Sequence, residues 1–179
     1  MNEKTVATFD FNGISVDVVN WNETIWCGKV GYAENNTDEP NVGKIFDDFF
    51  ALDTSVVNER IDGNFDGCVS INYLSKRRPN GVILGFLVGS ENQPNGFDVL
   101  KFPAAQYMRV SLDDNTAKAL GEKPWQGGIP LYQWITEKLA PKFGYQVGDD
   151  TLPIFEYYGY YNPEKNIHKL RYLYVPITK

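Results

Sequence analysis

Apolar residues along this chain change their period several times, and each change predicts an element. Val42, Ile45, Phe46, Phe49 and Phe50 recur at the i, i+3, i+4, i+7, i+8 spacing of one helical face. Ile129, Tyr132, Ile135 and Leu139 nearly repeat that period, and Gly144 follows as a stop signal. Both faces read as core, with Phe46, Phe49 and Trp134 included in it. Elsewhere β-branched and aromatic residues alternate between turn residues, which predicts strands. CVSINYL and VILGFLV flank SKRRPNG and predict an antiparallel hairpin; IFEYYGYY and LRYLYVPI around NPEKNIHK predict another. TVATFDF and ISVDVV surround Asn12-Gly13, a strong signal for a two-residue hairpin turn.

The elements come twice in the same order. DVVNWNETIWCGKV, from Asp17, precedes one helix and two strands, and DVLKFPAAQYMRV, from Asp98, precedes another helix and two strands. Aligning the openings with a one-residue gap sets Trp21 near Phe102 and Trp26 near Tyr107. The expectation is an α+β fold of two pseudo-symmetric strand-helix-strand-strand modules, about 14–92 and 97–179. They form an antiparallel sheet with two main helices, and an N-terminal β-hairpin is added. The link SENQPNG is short and polar, so residues 1–179 are expected to form one domain. A pseudo-two-fold seam is a common place for a ligand cleft.

Composition narrows the function classes. Among 179 residues, 42% are hydrophobic, which predicts a packed globule. The net charge of −6 argues against direct nucleic-acid binding, which needs a basic stripe. The basic run Lys76-Arg77-Arg78 precedes Pro79-Asn80-Gly81 and reads as a solvated hairpin turn. No apolar run suits a membrane span and no secretory signal opens the chain, so a cytoplasmic location is expected. Cys27 and Cys68 form no metal or redox motif and read as reduced core thiols. With His168 the single histidine, no metal or other cofactor is expected.

The densest chemistry lies in TLPIFEYYGYY, residues 151–161, where Glu156 stands among aromatic rings. A carboxylate among rings is costly to desolvate without a partner, and ring faces attract cations. The segment therefore suits an aromatic, cationic small molecule. Strand alternation pairs Glu156 with Tyr158 and turns Phe155 and Tyr157 toward the core. Trp21, Trp26 and Tyr107 join the candidate ligand-binding residues through the repeat. Trp125 joins them as a loop indole beside Gly127-Gly128, and Tyr172 as part of the tyrosine-rich side of the last strand.

FDVLKFPAAQYMRV, LPIFEYYGYY and the terminal VPITK together resemble the GyrI-like small-molecule-binding family, from about Ile14 onward. That family includes effector-binding domains of AraC-type and MerR-type multidrug regulators. The resemblance implies a ligand cleft between the modules, with Glu156 at the family's drug-contacting glutamate and Tyr107 at its tyrosine position. It describes a free-standing member, since no DNA-reading segment is present. Free-standing relatives imply an alternative, hydrolysis of strained, cyclopropane-bearing genotoxic compounds, with Glu156 as the catalytic residue. A second alternative is an inhibitory module that meets a protein partner.

Overall fold

The computed structural model describes residues 3–35, 38–61, 67–72, 78–119, 128–157, 161–162, 167–168 and 172–179. Its strands are β1 (Glu3–Phe11), β2 (Ile14–Trp21), β3 (Thr24–Tyr32), β4 (Gly67–Ile71), β5 (Gly81–Val88) and β6 (Asp98–Phe102). Then come β7 (Ala105–Ser111), β8 (Gln146–Val147), β9 (Ile154–Tyr157), β10 (Tyr161–Asn162), β11 (Ile167–His168) and β12 (Tyr172–Thr178). The helices are α1 (Val42–Phe50), α2 (Asp114–Ala119), α3 (Gly128–Trp134) and α4 (Ala140–Lys142). A π-helical turn, Ile135–Leu139, joins α3 to α4. Pro141, two residues beyond that turn, has no N–H to return to the carbonyl four residues back, which explains the widening.

Ten strands form one sheet in the order β1-β2-β7-β12-β9-β4-β5-β3-β6, with β8 pairing β12; β10 and β11 form a separate pair. Every recorded strand pair is antiparallel. The order β2-β7-β12-β9 mirrors β6-β3-β5-β4, so the expected α+β architecture of two pseudo-symmetric modules is observed. Trp21 and Phe102 close β2 and β6, and Trp26 and Tyr107 are each third in the strand that follows, as the repeat alignment requires. Each module gives its first strand to the other: β2 pairs with β7, and β6 with β3.

That exchange forces the sheet to curl. β2 and β3 stand six strand spacings apart in the order, about 29 Å if the sheet were flat. Two residues, Asn22 and Glu23, join them, and a three-bond link spans at most about 11 Å. The link Pro103-Ala104 imposes the same limit between β6 and β7. Gly28, Gly85 and Gly67 stand side by side across β3, β5 and β4. A Cβ on any of them would lie within 1.8–2.1 Å of a neighbouring carbonyl oxygen. These strands approach too closely there for a side chain, as at a barrel corner.

Among the described residues, α1 and the segment from α3 to α4 cover the convex face. Leu131, Ile135 and Leu139 pack with Val16, Val18, Met108, Val110, Leu173 and Val175. Ile45 and Phe49 pack with Cys27, Val82, Leu84 and Phe86. The buried stripe of α1 is narrower than its periodicity predicted. Val42 and Phe50 are exposed, because in this nine-residue helix the side facing the sheet is that of Ile45 and Phe49, with Phe46 partly buried beside them. Phe50 instead packs against the Phe46 and Phe49 rings. Trp134 is half-buried and edge-on to Phe11, with ring centroids 5.2 Å apart. Gly144, at φ +78°, ends the second helix as expected, and the Tyr145 N–H donates to the Ala140 carbonyl at 2.8 Å.

All three predicted hairpin pairings are present. The opening hairpin extends the sheet edge and turns through Asn12 and Gly13, at φ 51° and 80°. The turns at 73–77 and 163–166 lie outside the described residues. Cys27 is a buried free thiol, whereas the Cys68 and His168 side chains lie outside the description. Among the described residues, no helix is long and apolar enough to cross a membrane.

Candidate functional site on the concave face

Alternation along each strand sends one set of side chains to the concave face. Val19 and Trp21 from β2, Tyr107 from β7, Tyr174 from β12 and Phe155 from β9 gather there with Trp26 from β3. Val69, Ile71, Ile83, Leu87 and Phe102 complete the cluster, and no helical residue takes part among those described. Phe155 and Tyr174, directly opposite in the sheet, stack with centroids 4.4 Å apart and planes at 10°. Trp21 reaches Phe155 edge-on at 5.0 Å, and Trp26 approaches it at 6.0 Å. Each tryptophan stands three strands from β9, about 14 Å in a flat sheet. Curling therefore brings rings of both modules onto one central phenylalanine. Tyr157 and Tyr172 flank the cluster and are partly buried.

A charged group edges this face. Glu3, at the start of β1, lies opposite Trp21. Its carboxylate accepts from Trp21 Nε1 at 2.9 Å, the Tyr174 hydroxyl at 3.0 Å and Arg109 Nη1 at 2.6 Å. Arg109 also donates to Asp17 through Nε, at 3.2 Å, and through Nη2. The three charged side chains are only 13–15% exposed, so the pairs are shielded from water. The Arg109 guanidinium lies over the Tyr172 ring, 4.7 Å from its centroid.

Burial opposes the Arg109 charge, but the Asp17 hydrogen bonds and the Glu3 charge more than offset it, so its pKa is raised. Burial raises Asp17 in turn, yet its bonds from Arg109 and Thr8 outweigh that and lower its pKa. Tyr174 is raised by burial first and then by the Glu3 charge, and Tyr107 by burial alone. Both phenols therefore stay protonated near neutrality.

Of the residues singled out from sequence, Trp21, Trp26 and Tyr107 come together here, and Tyr172 sits at the margin. Glu156 does not join them. It lies opposite Leu173 and Cys68 in the sheet, and its strand neighbour Ile154 packs with the helix-side cluster. Alternation thus puts Glu156 on the convex side, while Phe155 is in the core as expected, within the buried aromatic cluster, and Tyr157 is partly buried against it. Tyr158 and Trp125 lie outside the described residues. Sequence reasoning missed Glu3, Asp17 and Arg109. A faint signal was present in the hairpin register, since Asn12-Gly13 sets the start of β1 against the end of β2.

The chain matches no protein-family model and no curated protein. It shares its fold with solved structures of low sequence identity. A candidate bacterial transcription regulation protein from Staphylococcus aureus MU50 superposes with a TM-score of 0.58 at 13% identity, covering 93% of this chain and 100% of that one. SAV2435, bound to tetraphenylphosphonium, gives 0.59 at 14%, covering 91% and 93%. The C-terminal domain of EcmrR gives 0.51 at 12%, covering 92% and 97%.

Proposed function

We propose that this chain is a GyrI-like effector-binding module, a single domain of two related halves that binds a small aromatic cation on its concave face. The observation that carries this reading is the helix-free gathering of Trp21, Trp26, Tyr107, Phe155 and Tyr174 from both modules. These rings are buried and packed on one another, so a ligand that parts them would gain stacking and cation–π attraction, about 0.5–2 kcal/mol per contact. Tyr157 and Tyr172, the partly buried margin, are where a ligand would enter. The SAV2435 ligand, a phosphonium cation carrying four phenyl groups, is of the matching class.

The anchoring carboxylate in this reading is Glu3, on the aromatic face, in place of Glu156. Glu3 already accepts from three donors. A carboxylate so engaged is better placed to balance charge than to take a proton from water, which favours binding over the hydrolase alternative. Titration with tetraphenylphosphonium tests the reading through tryptophan fluorescence. Saturable quenching is expected, weakened about tenfold by Glu3→Gln or by Trp26→Leu, and unchanged by Glu156→Gln. Absence of saturable quenching removes the reading, and loss of binding in Glu156→Gln alone moves the anchor to the other face.

A further inference from the structure

Arg109 already does on this face what the cation of a ligand would do. Its Nη1 donates to Glu3 Oε1 at 2.6 Å, and its guanidinium covers the Tyr172 ring, 4.7 Å from the centroid. A carboxylate and a ring face are the two partners that the binding reading offers to a cation. The repeat itself asks for no charge at this point. Arg109 stands two residues after Tyr107 in β7, and the matching position in β3, two after Trp26, is Gly28.

The guanidinium also has somewhere else to go. Beside it lies a cavity of about 310 Å³, lined by Arg109 itself and by Asp17, Ser15, Ser111 and Tyr172. Asp17 holds Arg109 twice, through Nε at 3.2 Å and through Nη2. Glu3 holds it through Nη1 alone. Without Arg109, Glu3 keeps Trp21 Nε1 and the Tyr174 hydroxyl as donors. Tilting about Asp17 into the cavity therefore gives up one charge-assisted bond and one ring contact. Glu3, Asp17 and Arg109 carry one net negative charge between them, so a monovalent cation at Glu3 makes the group neutral while Arg109 stays paired with Asp17.

We infer that Arg109 is an internal competitor for the cation of the ligand, and the residue that sets which cations bind. The inference rests on the aromatic-face reading and adds its selectivity. A small aliphatic cation exchanges one ion pair for another and gains no stacking, so Arg109 keeps its place against it. A cation that carries aryl groups gains stacking on the rings it parts as well, and it displaces the guanidinium.

Competition titrations on the full chain test this, with tetraphenylphosphonium read by tryptophan fluorescence and ethylguanidinium as a small cation without rings. Ethylguanidinium is expected to leave tetraphenylphosphonium binding to the wild-type chain unchanged. The double variant Asp17→Asn/Arg109→Gln removes the guanidinium and one carboxylate together, so no aspartate is left buried without its cation and the net charge of the group is kept. It should bind tetraphenylphosphonium about tenfold more tightly, since one charge-assisted bond no longer has to be broken. Ethylguanidinium should then compete. A measurement on the wild-type chain needs no variant: the Arg109 Nε–H resonance should move when tetraphenylphosphonium is added. The inference is overturned if the variant keeps its far-ultraviolet circular dichroism yet binds no more tightly than wild type. It is also overturned if the Arg109 Nε–H stays still while the Trp21 indole N–H moves. Tetraphenylphosphonium that binds neither chain removes the aromatic-face reading and the competitor with it, whereas equal binding to both removes the competitor alone.

Discussion

The indole of Trp21, the phenol of Tyr174 and the guanidinium of Arg109 all donate to Glu3, so one side chain at the edge of the sheet fixes the orientation of three others. Glu3→Gln keeps the size and one acceptor oxygen but removes the charge opposite Arg109. Hydrogen bonds to charged groups contribute about 1.5–3 kcal/mol, so this variant should lose about 2 kcal/mol of stability in urea unfolding, with a red shift in tryptophan emission. An unchanged midpoint would mean that the carboxylate is solvated in solution. Asp17 gives a pH dependence. Its folded pKa is lowered from 3.8, so its stabilisation is complete above the unfolded value and is lost as pH falls through the lower folded one. Asp17→Asn should reduce the acid loss of stability below about pH 4, seen as a flatter plot of unfolding midpoint against pH. Glu3 was hard to find from sequence for a definite reason. Continuing the register of Phe11 with Ile14 would set Lys4 against Trp21. The irregularity between Thr5 and Ala7 shifts the pairing by one residue and sets Glu3 there. Nothing in TVATFDF marks that extra residue.

Among the elements, helices and hairpins were legible because their signals are local: a 3.6-residue period, an Asn-Gly turn, a glycine stop. The parity of β9 was equally legible, and Glu156 does face away from Phe155 and Tyr157. Which side is concave was not, because that depends on strands from both modules meeting across the sheet. The glycine row is where curvature is built in. Gly85 lies between Gly28 and Gly67, and a Cβ there would stand 2.1 Å from the Cys27 carbonyl oxygen. The obstacle is backbone on the adjoining strand, so it cannot rotate aside as a side chain would. Gly85→Ala is therefore expected to destabilise by about 3 kcal/mol or more, in the range of overpacked cores. Gly13→Ala, where nothing lies within 4 Å but φ is +80°, should cost only about 1 kcal/mol. Thermal denaturation of the two variants side by side compares backbone collision with backbone strain. Equal losses would remove the close-packing account of the curl.

At the scale of the whole molecule, the two modules match in strand order but differ in charge. Asp17 opens DVVNW and faces Arg109, whereas its counterpart Asp98 opens DVLKF and lies opposite Gly28. Asp98 instead accepts from the Val30 N–H at 2.9 Å. Among the described residues the Glu3–Arg109–Asp17 group thus has no counterpart at Asp98, and a ligand on the pseudo-symmetric face would meet an asymmetric surface. The exchange of β2 and β6 has a thermodynamic consequence. Without residues 97–179, β2 loses β7, and Trp21 loses Phe155 and Tyr174. Without residues 1–92, β6 loses β3, and Tyr107 faces a cluster stripped of Trp21 and Trp26. Neither half then buries its aromatic residues or pairs its first strand inside the sheet, so neither has a separate stability to retain. The full chain should unfold in one transition, with tryptophan fluorescence and far-ultraviolet circular dichroism giving coincident urea curves. Two separated transitions would show halves that fold independently. In that case a ligand could be admitted by parting the modules, whereas one transition leaves entry to local movement at the Tyr157 and Tyr172 margin.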